Sequence, residues 1–335
     1  MAKIKDIAKL SGVSSSTVSR ILNKDSTLKV TMQTKKKVLD TAEHLGYVPI
    51  KHRKTKPVSA SNVAIVSWYT SRQEMEDSYY MQIRLGSEKR LKKEGLAFTN
   101  ILFDPENLPE QDYDAVIAIG KYNFEEIETL FAHCPSKNVI CVDSSPDEDS
   151  CSSVCFDFSK AMEKVLSCFH ERGHRHIGYI GGREYYKNSA EILDERFRYF
   201  KEWMQLRGIF RPQDCYFGEY SYHSGYDLMM EAIRKDSLPS AFFLGNDIMA
   251  FGAYKAVSDS HLRIPEDVSI IGFNDLPNAK YMVPPLTTIR IDCQRLGQLA
   301  AELLLAKMKK QLTFPLKATI PISLSLRESV TGLKK

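Results

Sequence analysis

Apolar positions recur along the first 45 residues with the spacing of short helices. Ile7, Ala8 and Leu10 give one apolar face, Val18, Ile21 and Leu22 a second, and Val38, Leu39, Ala42 and Leu45 a third. The pattern predicts two helices flanking Gly12-Val13 and a third from Thr31 to Leu45, together enough to close a small core. Residues 50–61, IKHRKTKPVSAS, hold four Lys/Arg, a proline and small polar residues, and read as a linker. From Val63 the pattern changes. Short β-branched runs predict strands at Val63–Ser67, Ala97–Phe103, Ala115–Ile119, Val139–Val142, Ile177–Ile180, Ala241–Leu244 and Ile270–Phe273. Amphipathic stretches between them predict helices near Tyr80–Glu94, Ser159–Glu171, Phe197–Arg207, Ser224–Ile233 and Asp247–Ser258. Such alternation builds parallel sheets with helices on both faces. Leu296, Leu299, Ala300, Leu303 and Leu304 form a last helical stripe.

The turn chemistry of the first segment is specific. Gly12 can take the left-handed conformation that ends a helix, and the Ser14 hydroxyl can accept the free N–H groups of the next. Helix, glycine turn, helix is the helix-turn-helix arrangement, whose second helix enters the major groove of DNA. That helix carries Ser15, Ser16, Thr17, Ser19 and Arg20, short donors plus one planar guanidinium suited to a base edge. The pattern alone would also suit an ordinary helical hairpin. Thr31 is placed to cap the third helix, and Gly46 to end it.

Charge separates the two readings. Residues 1–56 contain thirteen Lys/Arg and four acids, a net of +9, which leaves −5 for the remainder of a chain whose total is +4. A cationic head on a mildly acidic body suits phosphate binding by the head alone. At 335 residues, the chain has room for a headpiece and a two-lobed core. No apolar run approaches the ~18 residues of a membrane span, and no apolar signal region opens the sequence, so a cytoplasmic location is expected. The seven cysteines are scattered without a C-x-x-C pair, as expected of reduced, mostly buried thiols. His174 and His176 in GHRH stand two apart, and no metal site or cofactor is expected.

DIAKLSGVSSSTVSRILN (6–23) followed by TKKKVLDTAEHLGYVP (34–49) resembles the head of the lactose/galactose repressor family of bacterial transcription regulators. GHRHIGYIGG (173–182), FFLGNDIMAFGAYKA (242–256), DVSIIGFNDL (267–276) and PPLTTIRID (284–292) carry the likeness through the core. The resemblance implies an α/β protein with a three-helix headpiece at 1–49, a linker at 50–61 and a periplasmic-binding-protein-like core of two Rossmann-like lobes at 62–329. Lobe one is placed at 62–158 and 289–319, lobe two at 159–288 and 320–329. The chain crosses between lobes three times, so they can rotate only as near-rigid bodies. The lactose repressor's leucine-heptad tetramerisation segment has no counterpart in this sequence, and a symmetric homodimer on two operator half-sites is the expectation.

The resemblance also implies roles for individual residues. Ser15, Ser16 and Arg20 would contact bases, and Ser14, Thr17, Ser19, Asn23, Thr31 and Thr34 would contact phosphates. Lys51, Arg53 and Lys54 form a basic arm for phosphates or the minor groove, and Lys56 stands where the family carries a leucine that wedges between bases. A small-molecule effector is expected between the lobes, at the carboxyl ends of the strands. Its candidate contacts are Tyr79, Tyr80, Asp143, Arg196, Tyr220, Asn246, Asp247 and Asn274. Tyr79 and Tyr80 could equally be core aromatics, and Asp247 could cap its helix instead. DSYYMQIRLGSE (77–88) and GKYNF (120–124) resemble the Gram-positive galactose repressors, implying galactose or a galactoside as inducer.

Other functions fit less well. No nucleophile elbow, P-loop, dinucleotide glycine fingerprint or metal cluster supports an enzyme. A plain sugar-binding module would leave the basic helix-turn-helix unexplained. A corepressor such as a purine, strengthening operator binding, is the alternative to a sugar inducer.

Overall fold

The computed structural model describes residues 4–22, 28, 30–45 and 61–333. They belong to two units, residues 1–60 and 61–335. In the first, helices α1 (Ile4–Ser11), α2 (Ser15–Leu22) and α3 (Met32–His44) bury Ile7, Ala8, Val18, Ile21, Val38 and Ala42 against one another. Gly12 has φ +73°, and its N–H and that of Val13 both donate to the carbonyl of Ala8 (3.0 and 3.2 Å), ending α1. Ser14 Oγ accepts the Thr17 N–H at 3.1 Å, and Thr31 Oγ1 accepts the Thr34 N–H at 3.2 Å, so both predicted caps form. Leu10 and Leu39 depart from the expected stripes and are exposed. A three-helix core this small admits a narrow face. On α1 that face runs from Ile7 to Ser11, whose hydroxyl donates back to the Ile7 carbonyl.

The second unit is built on two six-stranded sheets. The first contains β1 (Asn62–Ser67), β2 (Ala97–Leu102), β3 (Ala115–Ile119), β4 (Val139–Val142), β5 (Ser152–Phe156) and β11 (Lys317–Ile320), in the spatial order β11-β5-β4-β3-β1-β2. Every pairing in it is parallel. The second contains β6 (Ile177–Gly182), β7 (Cys215–Gly218), β8 (Ala241–Leu244), β9 (Ser269–Asn274), β10 (Thr287–Arg290) and β12 (Ser323–Ser325), in the order β12-β10-β9-β8-β6-β7. Only its β10–β12 pair is antiparallel. β3, β4 and β8 are buried throughout, which is why they read as unbroken apolar runs.

The connecting helices are α4 (Ser71–Glu76), α5 (Tyr79–Glu94), α6 (Phe124–Ala132), α7 (Phe158–Glu171), α8 (Glu195–Leu206), α9 (Tyr222–Ile233), α10 (Asp247–Asp259) and α11 (Cys293–Met308). The chain changes sheet between β5 and β6, between β10 and β11, and between β11 and β12. β10 runs to Arg290 within the second sheet, so the second crossing falls at 291–292, slightly beyond the 288/289 division drawn from the sequence. Beyond it α11 packs along α5. At Gly297 a Cβ would lie 1.9 Å from the Ile83 carbonyl oxygen, so the two backbones approach closer than any side chain allows. This ties the returning segment firmly to the first lobe.

Candidate functional site

The carboxyl ends of the central strands of both sheets face one cleft. On the first lobe, β4 ends at Val142 and the next residue, Asp143, is buried with φ +66°, a left-handed backbone that a non-glycine residue holds at some cost. Tyr80, on α5, donates its hydroxyl to Asp143 Oδ2 at 2.9 Å. Lys121 places its ammonium 3.0 Å from the same oxygen and 2.8 Å from the Asp143 carbonyl. Burial pushes the Lys121 pKa down, but Asp143, followed by Glu184, outweighs it and the net shift is upward. Tyr79 OH stands beside the Asp143 carboxylate without hydrogen-bonding geometry. Among the described residues five buried side-chain polar atoms lack a partner. Four of them, Trp68 Nε1, Tyr79 OH, Asp143 Oδ1 and Ser144 Oγ, belong to residues lining the cleft from the first lobe.

The second lobe presents a finished polar network. Asp194 caps α8, accepting the Arg196 N–H and the Arg196 Nε, each at 2.9 Å. Arg196 Nη1 donates to the Gly245 carbonyl (2.8 Å) and Nη2 to the Tyr220 hydroxyl (2.5 Å), which itself donates to Asp194 Oδ2 (2.5 Å). The guanidinium also lies 4.6 Å from the centre of the Tyr220 ring and 5.6 Å from that of Phe273. Burial pushes the Asp194 carboxyl up, yet Arg196 and Tyr220 together hold it below its usual range. Asn246 caps α10 through Oδ1, accepting the Met249 N–H, while its Nδ2 reaches across the cleft to Asp77 Oδ2 at 3.0 Å. Asn274, at the end of β9, has φ +109° and lines the same space.

Seven of the eight effector candidates therefore share one enclosed space: Tyr79, Tyr80, Asp143, Arg196, Tyr220, Asn246 and Asn274. Asp247 does not line it. Its Oδ1 accepts the Thr288 hydroxyl at 2.6 Å and its Oδ2 accepts the Leu276 N–H at 2.7 Å, so this carboxyl joins α10 to the second sheet. Burial pushes its pKa up to about 8. The sequence reading missed Asp77, Lys121, Asp194 and Glu184, and the aromatic walls Phe158 and Phe273. Asp77 and Lys121 sat within the two motifs quoted above, DSYY and GKYNF, as the available signal. Glu184 follows strand β6 and meets Tyr69 OH across the cleft at 3.3 Å. Burial pushes its carboxyl above its usual range.

The enclosed space holds only about 30 Å³, room for a water or two. It shares walls with a larger chamber of about 400 Å³ on one side and another of about 290 Å³ on the other. The cleft thus comprises a small central space adjoined by two larger chambers.

On the headpiece, Ser14, Ser15, Ser16, Arg20 and Thr31 are exposed, and Thr17, Ser19 and Thr34 are half-buried. Ser14 Oγ lies 2.7 Å from Ser16 Oγ and 2.9 Å from Thr17 Oγ1, so the start of α2 is a cluster of hydroxyls at a helix N-terminus. Asn23, Lys51, Arg53, Lys54 and the Lys56 position lie outside the described residues.

Residues 3–49 match the family model described as bacterial regulatory proteins, lacI family, and residues 166–330 match the periplasmic binding protein-like domain. The chain is 36% identical to the HTH-type transcriptional regulator GalR of Lacticaseibacillus casei, over 98% of this chain and 99% of the relative. The chain belongs to the LacI family. It is a helix-turn-helix transcription regulator and not an enzyme. It is also 36% identical to the regulator GanR of Bacillus subtilis (strain 168), over 92% of this chain and 93% of that one. Among solved structures, its fold is similar to that of a CelR–cellobiose complex, with a TM-score of 0.69 at 24% identity, covering 98% of this chain and 100% of that chain. A Lac repressor dimer bound to operator and the anti-inducer ONPF gives 0.71 at 24% identity, covering 98% and 99%. Among the described residues no helix is long and apolar enough to cross a membrane.

Proposed function

We propose that this LacI-family member is a dimeric repressor of a sugar-utilisation operon, released from its operator when a galactoside enters the interlobe cleft. The observation that carries the effector half is the set of unpaired polar atoms on the first lobe. A buried carboxylate oxygen and a buried phenol without partners cost about 1–3 kcal/mol each, and vicinal sugar hydroxyls would satisfy both Asp143 Oδ1 and Tyr79 OH. Arg196, Tyr220, Asn246 and Asn274 close the second side, and Tyr80 and Lys121 hold Asp143 in place. Asp247 is left out of the contact set, since its oxygens are already engaged.

For DNA, Arg20 would read guanine, with Ser15 and Ser16 beside it, while Ser14, Thr17, Ser19, Thr31 and Thr34 hold phosphates. Asn23, Lys51, Arg53 and Lys54 would extend that contact. Effector binding favours one lobe arrangement, and a coupling of ~1–3 kcal/mol would give a roughly 5–150-fold loss of operator affinity. A regulator of this kind acts in the cytoplasm, where its operator lies. The bounds this scheme assigns are 1–49 for DNA, 50–61 for the linker and 62–329 for effector and dimer contacts. The test is a gel-shift titration of the full chain on its upstream region with galactose, lactose and hypoxanthine. Release by a sugar supports the scheme. Binding strengthened by the purine overturns induction, and no duplex binding at low salt overturns the repressor reading.

A further inference from the structure

Two buried thiols touch in the first lobe. Cys141 lies on β4 and Cys151 immediately precedes β5, and their sulfurs are 3.2 Å apart. Both are free thiols, about 1.2 Å further apart than a bonded pair. The segment between them bears on the cleft. Asp143 and Ser144 follow Cys141 by two and three positions, and each leaves a buried oxygen without a partner. The remaining stretch ends in a turn in which the Asp147 carbonyl accepts the Cys151 N–H at 3.1 Å and Asp147 Oδ1 accepts the Asp149 N–H at 3.0 Å. Residues 148–150 of that turn are exposed, so its local opening uncovers Cys151 while the sheet stays paired.

The two thiols are not equivalent. The hydrogen bond between them holds the Cys151 pKa below its ordinary value, and the Lys307 ammonium adds to this against the cost of burial. The same bond, with burial, pushes the Cys141 thiol up. Cys151 is thus the better nucleophile and Cys141 the thiol in contact with it, the arrangement of an attacking and a resolving cysteine. Cys155 is a third thiol on β5. It lines the cleft, its sulfur lies 3.6 Å from the Ser144 carbonyl, and burial pushes its pKa up to about 11.

We propose that Cys141 and Cys151 are an oxidation site, which a hydroperoxide converts into a disulfide that ties the base of the 143–150 loop and weakens the hold of Asp143 on the effector. The Cys151 thiolate attacks the peroxide, the O–O bond breaks, and the leaving oxygen departs as water, or as an alcohol from an organic peroxide, with the thiol proton. Cys141 then attacks the Cys151 sulfenic acid, and the hydroxyl leaves as a second molecule of water with the Cys141 proton. Two thiols are oxidised by two electrons and one peroxide is reduced. Bonding draws Cys141 toward Cys151 by about an ångström. Asp143, two residues on, is held by contacts of 2.9 and 3.0 Å to Tyr80 and Lys121 that such a shift disturbs. The effect on the effector rests on the cleft reading, whereas the disulfide does not.

Mass analysis of the full-length chain, treated with hydrogen peroxide, alkylated and digested with trypsin, tests it. Cys141, Cys151 and Cys155 fall on one tryptic peptide, residues 138–160. That peptide should lose two hydrogens, with the bond between Cys141 and Cys151 and with Cys155 alkylated, and dithiothreitol should restore it. Cys141→Ser should halt Cys151 at a sulfenic acid that dimedone traps, and Cys151→Ser should leave Cys141 a thiol. The digest of the parent chain decides the matter even where a serine variant does not fold. Full alkylation of both cysteines after a treatment that oxidises the half-buried Cys215 overturns the site. So does a bond made by Cys155, or a sulfonic acid with no bond. In hydrogen exchange the amides of residues 147–150 should slow roughly tenfold on oxidation, and unchanged exchange overturns the tying of the loop. In a gel shift titrated with galactose and lactose, release of the oxidised chain should need roughly fivefold more sugar, the loss of one hydrogen bond. An equal requirement overturns the coupling to Asp143. Release by neither sugar before oxidation counts against the galactoside reading, and the digest still decides the disulfide.

Discussion

Asn246 and Asp77 meet across the interlobe cleft, the amide nitrogen of the one donating to the carboxylate of the other at 3.0 Å. Each is fixed on its own side as well. Asn246 Oδ1 caps α10, and Asp77 Oδ1 accepts the Tyr79 N–H at 2.9 Å. Burial is the main reason the Asp77 carboxyl titrates above its usual range. The bond therefore joins two anchored side chains across the cleft proposed for the effector.

Substitution at 246 separates its two roles. Asn246→Ala removes both the cap and the clasp and should cost about 1–3 kcal/mol of stability. Asn246→Ser can keep the cap and should recover about 1 kcal/mol of it in urea unfolding. Both variants lose the clasp, so both should admit the effector faster, by roughly fivefold for a bond worth about 1 kcal/mol. Stopped-flow fluorescence of Trp68 would follow the association. Unchanged rates in both variants would show that the lobes already part freely.

Asp247 predicts a pH dependence of stability. Its folded pKa of about 8 lies above the ordinary carboxyl value of 3.8, so the folded chain binds a proton that the unfolded chain releases. Its contribution to stability is present in acid, falls as pH rises from about 4 to about 8, and levels off beyond. The slope through the middle of that window is about 1.4 kcal/mol per pH unit. Asp247→Asn should flatten it, with unfolding midpoints at pH 6 and pH 8 differing less than in the parent.

Some of this was open to inspection in the sequence. The headpiece was legible because capping residues, glycine and apolar spacing agree locally, and no distant contact is needed to set them. The fully buried strands β3, β4 and β8 were legible as apolar runs. β5, with SSVCF, and β7, with CYFG, were not, because serine, cysteine and glycine carry little strand preference and their pairing comes from neighbours far along the chain. The seven cleft residues were found through the family's motifs. The place of Asp247 stayed open in the sequence because an aspartate after Asn246 looks the same whether it faces ligand or Thr288. Glu184 escaped notice because its importance depends on Tyr69, 115 positions away.

Asp143 should decide induction without touching repression. Asp143→Asn keeps the shape but weakens the pairing with Lys121 and Tyr80 and replaces the charged acceptor offered to the sugar. Charge-assisted bonds of this kind are worth about 1.5–3 kcal/mol, so effector affinity should fall by roughly 10–150-fold. Operator affinity without effector should stay within threefold. In a reporter strain this variant would repress and fail to induce. Normal induction would remove Asp143 from the contact set.

Arg20 separates base reading from simple attraction. It is exposed on α2, the helix whose start carries the Ser14, Ser16 and Thr17 hydroxyls. A guanidinium holding guanine O6 and N7 is worth about 1–3 kcal/mol of discrimination, so Arg20→Ala should weaken operator binding by roughly 5–150-fold. On random duplex the loss should be only that of one cation, with the salt slope lowered by about 1. Lys35→Ala and Lys36→Ala, which remove exposed charge from α3, should reduce both affinities together. The ratio of operator to random affinity is therefore the quantity to measure at fixed salt. If Arg20→Ala leaves that ratio unchanged, Arg20 contacts phosphate and the operator is read by Ser15, Ser16 or the shape of the duplex.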